Sequence, residues 1–192
     1  LSEFNDKIIG GRGSKIYNFI VPKILNSFYK KVLKDISLSS CHGMILDVGS
    51  GPGTLAISMA KANRDSKVYG IDISDDMITI AQRNAQKEGI TENIQFIKAD
   101  IANLPFDDKT FDLIVSTFSL HHWGRVPEAV KECYRVLRKD GMLCIYDFSR
   151  VDYAKPGKEF RKSASTLFGK DSEFKTIKFG FIPMVLKYSV KK

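Results

Sequence analysis

Residues 44–60 read MILDVGSGPGTLAISMA, an apolar run of strand length, then glycines at Gly49, Gly51 and Gly53, then apolar residues at helical spacing. A strand passing into a helix through alternate glycines constrains the fold more than any other stretch of the chain. An apolar strand without alternation belongs inside a sheet covered on both faces, and the helix after it returns across one of them. The pattern repeats downstream: VYGID precedes DDMITIAQRNAQKEG, IQFIKAD precedes a turn, FDLIVS precedes VPEAVKECYRVLRKDG, and MLCIYDF follows. This alternation predicts an α/β fold with a mostly parallel sheet and helices on both faces. The tail FKTIKFGFIPMVLKYSV departs from it, with two strand-like runs around Gly180 and Pro183, and predicts an antiparallel hairpin at the sheet edge.

Helix boundaries have local signals. Ser74 can cap a helix whose first residues, Asp75 and Asp76, suit its positive end, and Gly89 and Gly141 stand where helices should stop, after Lys87 and after Arg138 with Lys139. Upstream, Ile16, Phe19, Ile20, Ile24, Leu25, Phe28, Val32 and Leu33 recur at steps of three and four, predicting helix with Pro22 bending it or starting a second piece. Neither a repeat nor a linker is visible. The expectation is one domain over 1–192: a helical lid segment at 1–43, a ligand-binding core at 44–149, and a C-terminal helix and hairpin at 150–192.

Composition excludes several classes. At 192 residues, 43% hydrophobic and 27% charged, the chain has the mix of an ordinary globular protein and not of a disordered one. It has no apolar run near the roughly 18 residues that span a bilayer, and the first residues lack a secretory layout, so no membrane span and a cytoplasmic address are expected. Cys41, Cys133 and Cys144 form no metal-binding spacing; no metal site is expected, and buried thiols are the reading for Cys133 and Cys144. The net charge of +8 is uneven: residues 1–43 carry 7 basic and 3 acidic side chains, 44–149 carry 12 and 15, and 150–192 carry 11 and 4. Basic ends around an acidic middle can face an acidic substrate or nucleic acid, or simply solvate helix surfaces.

The glycine turn is the first candidate site. In an open parallel sheet, ligands sit at the carboxyl ends of the strands, and glycine there lets the backbone approach a ligand that a Cβ would exclude. Asp72, ending VYGID, can accept both hydroxyls of a ribose. These features fit a dinucleotide or another adenosine-bearing cofactor equally well.

The stretches LDVGSGPG, GIDISDDM, ADIANLPFDDKTFDLIVS, LHHW and YRVLRKDG together decide between them. Over about residues 44–149 the chain resembles the class I S-adenosylmethionine-dependent methyltransferases, type 11 subgroup, and is similar to the ubiquinone and menaquinone biosynthesis methyltransferases. The resemblance implies a Rossmann-like seven-stranded sheet with the last strand antiparallel, and S-adenosyl-L-methionine as cofactor. It further implies that Gly49, Ser50 and Gly51 hold the methionine part, Asp72 the ribose, and Asp100 the adenine amino group, with the Ile101 N–H at the ring edge. Ile73 and Met77 would cover the adenine, Ser116 and Thr117 would lie near the ammonium or sulfonium end, and Tyr17 would fold over the cofactor, with Arg12 or Lys15 reaching its carboxylate.

Methyl transfer from a sulfonium needs alignment more than strong acid or base groups, which suits a site of glycines, apolar cover and two carboxylates. His121 and His122 stand after the fourth strand and are the candidate bases for a hydroxyl or an activated carbon; alternatively one packs and the other is solvated. Trp123 and Phe118 either wall an acceptor pocket or join the core. STFS stands where amino-group methylases of adenine or glutamine carry Asn/Asp-Pro-Pro-aromatic, and the segment 149–170 leaves little room for a macromolecular recognition domain. A small-molecule acceptor is therefore expected. A nucleic-acid or protein methyltransferase and a cofactor-binding regulatory subunit without turnover are the alternatives.

Overall fold

The computed structural model describes residues 26–36, 43–169, 173–179 and 182–192. The chain divides into two units, Leu1–Ile36 and Ser37–Lys192. In the first, residues 26–35 form a helix, α1, whose Phe28 and Val32 are buried, as the three- and four-residue spacing predicts. The rest of the expected N-terminal helix, including Tyr17, and Arg12 and Lys15 before it lie outside the described residues.

The second unit begins with the strand β1 (Met44–Val48), the helix α2 (Thr54–Ala62), β2 (Lys67–Asp72), α3 (Asp75–Lys87), β3 (Ile94–Lys98) and β4 (Phe111–Thr117). It continues with a short 3₁₀ turn (Leu120–His122), α4 (Val126–Val136), β5 (Leu137–Phe148), a second 3₁₀ turn (Ser149–Tyr153), α5 (Lys155–Phe168), β6 (Glu173–Phe179) and β7 (Ile182–Lys191). The strands run in the order β3-β2-β1-β4-β5-β7-β6. Strands β1 to β5 pair in parallel, while β7 is antiparallel to both β5 and β6. The mostly parallel sheet and the C-terminal hairpin are thus as the alternation and the tail pattern predict. Ile45, Leu46 and Val48 of β1 and Leu113, Ile114 and Val115 of β4 are buried, as strands covered on both faces require. One apolar core joins these strands to Val130 and Cys133 of α4, Phe160 and Ala164 of α5, and Tyr188 of β7. Cys133 and Cys144 are buried and not in a disulfide, and burial pushes the Cys133 thiol up to about 12.

The local helix signals hold for α3. The Ser74 hydroxyl accepts from the Met77 N–H at 3.4 Å, and Gly89 takes the left-handed φ of 65° just beyond the last turn. They fail for α4, which was expected to continue to Gly141 and ends at Val136. The loop entering β4 takes its last carbonyls: Lys109 N donates to Arg135 O at 3.0 Å and Thr110 N to Val136 O at 2.7 Å. Leu137 turns to ψ 135° and pairs with Phe111. Gly141 serves a tight bend inside β5 instead; a Cβ there would lie 2.8 Å from Leu137 Cγ.

Helix α4 is tied to the segment after β3 at both ends. Arg125, before its first turn, donates to Asp100 at 2.8 Å. Arg135, in its last turn, donates to the carbonyls of Phe106 and Leu104 and to Asp108, while Glu132 accepts from both Leu104 N and Arg135. The Arg135 guanidinium holds the Glu132 carboxyl below its ordinary range.

Candidate functional site

The order β3-β2-β1-β4-β5 makes β1 and β4 neighbours, so the chain reverses its direction of travel across the sheet between them. The carboxyl ends at such a switch point leave a crevice. Five strand ends supply the candidate residues: Gly49 to Gly53, Asp72, Asp100, Ser116 with Thr117, and Asp147.

The glycine loop is shaped by its neighbours. Gly49 has φ 67°, and a Cβ on it would stand 2.4 Å from Ser119 Oγ, so only glycine lets β1 and the chain after β4 approach this closely. Gly51 has φ 51°, and a Cβ there would meet nothing within 4 Å, so its backbone borders open space. Asp72 braces this loop: Oδ2 accepts from Gly51 N at 2.9 Å and Oδ1 from Ser74 N at 3.0 Å. A carboxylate has about four acceptor positions, so two remain for a ligand. Beside it, Ile73 is 70% exposed and Met77 37%, an apolar surface at a strand end.

Asp100 sits across the crevice. Its Oδ1 accepts from Ala102 N at 2.8 Å and its Oδ2 from Arg125, and these bonds, the Ala102 amide foremost, hold its carboxyl below the usual range. Ile101 is half-buried beside it. Ala99 N donates to Asp72 O at 3.0 Å, which ties the ends of β2 and β3 together. Ser116 and Thr117 are buried, and Ser116 Oγ donates to Ser119 Oγ at 3.0 Å, which also accepts from the Trp123 indole N–H at 2.8 Å.

The two histidines have different surroundings. His121 Nδ1 lies 2.9 and 3.0 Å from the two oxygens of Asp147, which also accepts the His121 backbone N–H at 3.1 Å. Asp147 is fully buried at the end of β5, and the His121 side chain is 25% exposed. A carboxylate can only accept, so Nδ1 is the donor toward Asp147, and in the neutral ring the lone pair then lies on Nε2. His122 is exposed, its ring 4.0 Å from that of His121; burial of part of the ring and the neighbouring His121 hold its pKa below the usual value.

Two further groups, Asp47 and Asp147, escape the sequence reading. Asp47, in β1, is 1% exposed, and neither of its oxygens has a hydrogen-bond partner among the described residues. Burial raises it to about 7; the Ala56 amide, which faces the carboxyl without meeting hydrogen-bond geometry, pulls the other way, and the charge on Asp72 adds to the rise. Ser50 Oγ, three residues on, is likewise buried and unpartnered. An acid inside an otherwise apolar strand, two residues before Gly49, is the signal that could have marked it. Asp147 carries the same signal inside CIYDF.

Buried carboxylates are ordinarily paired. Asp47 beneath a glycine turn that borders open space, with an apolar surface and two further carboxylates around it, fits a ligand bearing a cation, a ribose and a flat base. Among the described residues no group of three or more His, Cys, Asp or Glu side chains is placed to hold a metal ion, and no helix is long and apolar enough to cross a membrane.

Comparison with known proteins shows the family and the fold. The family model described as a methyltransferase domain matches residues 46–145. The chain is 36% identical over 109 residues to the ubiquinone/menaquinone biosynthesis C-methyltransferase UbiE of Agrobacterium fabrum, covering 56% of this chain and 42% of that protein. The corresponding protein of Allorhizobium ampelinum is 34% identical over 139 residues, 69% of this chain and 54% of that one. The chain thus spans about half the length of the curated relatives it matches. A SAM-dependent methyltransferase from Aquifex aeolicus shares the fold, with a TM-score of 0.68 at 24% identity over 85% of this chain and 88% of that one.

Proposed function

Because the chain belongs to the family of proteins with a methyltransferase domain, we propose that it transfers a methyl group from S-adenosyl-L-methionine to a small-molecule acceptor. The observation that carries this reading is the buried, unpartnered Asp47 carboxylate under the glycine turn, which suits the ammonium of that cofactor. In this reading Gly49, Ser50 and Gly51 receive the methionine part, with Thr117 and Ser116 beside them. The free acceptor positions of Asp72 take the ribose, and Ile73 and Met77 cover the adenine. Asp100 and the Ile101 N–H meet the base edge, for which Asp100 gives up or shares its bond to Arg125. The strand order supports the seven-stranded version of the fold.

Bound there, the cofactor supplies an electrophilic methyl group on a sulfonium. The chain's own part is to align the acceptor and remove its proton. His121 Nε2 takes the proton of an acceptor hydroxyl or activated carbon, and Asp147 fixes the ring orientation and stabilises the imidazolium that forms. His122, kept neutral more readily than an ordinary histidine, borders the same space. Similarity to C-methyltransferases of quinone biosynthesis supports a small acceptor.

Calorimetric titration with S-adenosyl-L-methionine, followed by methyl-labelled turnover with fractionated small metabolites, tests the proposal. Saturable binding and label in a low-molecular-weight fraction are expected. Absence of binding refutes it.

A further inference from the structure

The aromatic and cationic groups beside His121 have no part in holding an adenosine. Phe118 and Phe148 are half-buried, with ring centroids 4.9 Å apart and planes inclined by 34°. The His121 ring lies 5.8 Å from that of Phe148. Phe118 holds this position at φ 53°, which bulky residues rarely adopt, and its N–H donates to Tyr146 O at 2.7 Å. Such strain concentrates where a side chain must be aimed for function.

Arg150 completes the group. It is exposed, and its guanidinium carbon stands 5.7 Å from the centroid of Phe148, within cation–π range. Among the described residues no carboxylate pairs with it. The acid two residues on, Asp152, is committed to a two-pronged pair with Arg161 and to the Tyr188 hydroxyl at 2.7 Å. Base, second aromatic ring and unpaired guanidinium are therefore all neighbours of one phenylalanine ring.

We propose that Arg150 is a specificity-determining residue that receives a carboxylate of a flat acceptor, whose plane lies against Phe118 and Phe148 and whose reacting hydroxyl faces His121. This rests on the reading of the site as a methyltransferase and deepens it by naming the acceptor class. Arginine presents a planar fork that a carboxylate meets with two bonds, and Phe148 holds that fork in place before the acceptor arrives.

The test uses the protein saturated with S-adenosylhomocysteine, the demethylated cofactor, so that no turnover occurs. Calorimetry then compares 4-hydroxybenzoate with its neutral counterpart 4-hydroxybenzamide. The unmodified protein should bind the carboxylate roughly ten- to a hundredfold more tightly, the range of a charge-assisted bond. Arg150→Gln should bring the two affinities within about twofold of each other, and Arg150→Lys should restore part of the difference, since lysine keeps the charge without the fork. Unchanged affinity for S-adenosylhomocysteine in each variant reports an intact fold. Equal affinity for the two compounds in the unmodified protein, a carboxylate preference that survives Arg150→Gln, or failure of both compounds to bind at millimolar concentration overturns the proposal. Failure to bind S-adenosylhomocysteine overturns the methyltransferase reading beneath it instead.

Discussion

Replacing Asp47 with asparagine should stabilise the ligand-free protein at pH 8 while weakening its hold on S-adenosyl-L-methionine. The folded protein raises this carboxyl from 3.8 to about 7. Between those values the folded state keeps a proton that the unfolded chain has released, so stability falls as pH rises through this window and levels off above pH 7. The full loss comes to about 4 kcal/mol. Asparagine removes the ionisation but leaves a buried amide without partners, which costs about 1–3 kcal/mol; the net gain at pH 8 is therefore about 1–3 kcal/mol, and no gain is expected near pH 4. The other displaced groups do not imitate this. Asp100 and Glu132 lie below their ordinary values and act only under acid conditions, and His122, also lowered, makes stability rise with pH toward 6.5. Urea unfolding at pH 4, 5, 6.5 and 8 measures the difference between the two proteins. If it does not change with pH, the Asp47 carboxyl is ionised alike in both states and the reasoning fails.

His121→Ala should lower methyl transfer by about a hundredfold or more with cofactor affinity kept, the contribution of a positioned base; a loss seen only in cofactor binding refutes its role. Asp72→Ala removes the acceptor of Gly51 N–H as well as the two acceptor positions proposed for the ribose, and the cofactor dissociation constant, followed by calorimetry, should rise at least tenfold. Gly49→Ala places a Cβ 2.4 Å from Ser119 Oγ at a φ of 67° and should cost about 1–3 kcal/mol in urea unfolding. Gly51→Val sets a β-branched residue at φ 51° beside open space, so it should lower both stability in urea unfolding and, in calorimetry, cofactor affinity, because the backbone is strained and the side chain enters the room proposed for the ligand.

The parts of the site written in contiguous residues were legible. Gly49 to Gly53 announce a strand-to-helix turn by spacing, and Asp72 and Asp100 stand at strand ends that hydrophobicity marks. The pairing of His121 with Asp147 was not, because 26 residues separate them and they meet only when β5 lies beside β4, with Ser116 opposite Ile145 and Thr117 opposite Tyr146. Asp47 has meaning only through burial without a partner, a property of the packed molecule. The end of α4 was misplaced for a related reason: LRKDG contains helix-tolerant residues up to Gly141, and the decision to leave the helix at Val136 comes from Lys109 and Thr110, which claim its last carbonyls from another part of the chain.

The grip of α4 on the segment after β3 has a thermodynamic corollary. Asp100, at the proposed base edge, is tied through Arg125 to the start of this helix, and the next residues toward the amino terminus lead back through Trp123 to His121. Residues 104–108 are fastened to its far end by Arg135. The proposed base edge and the proposed acceptor side are thus held near the same end of one helix, so occupancy of either should alter the affinity of the other by an equal factor, and Arg125→Ala should weaken that coupling in paired calorimetric titrations.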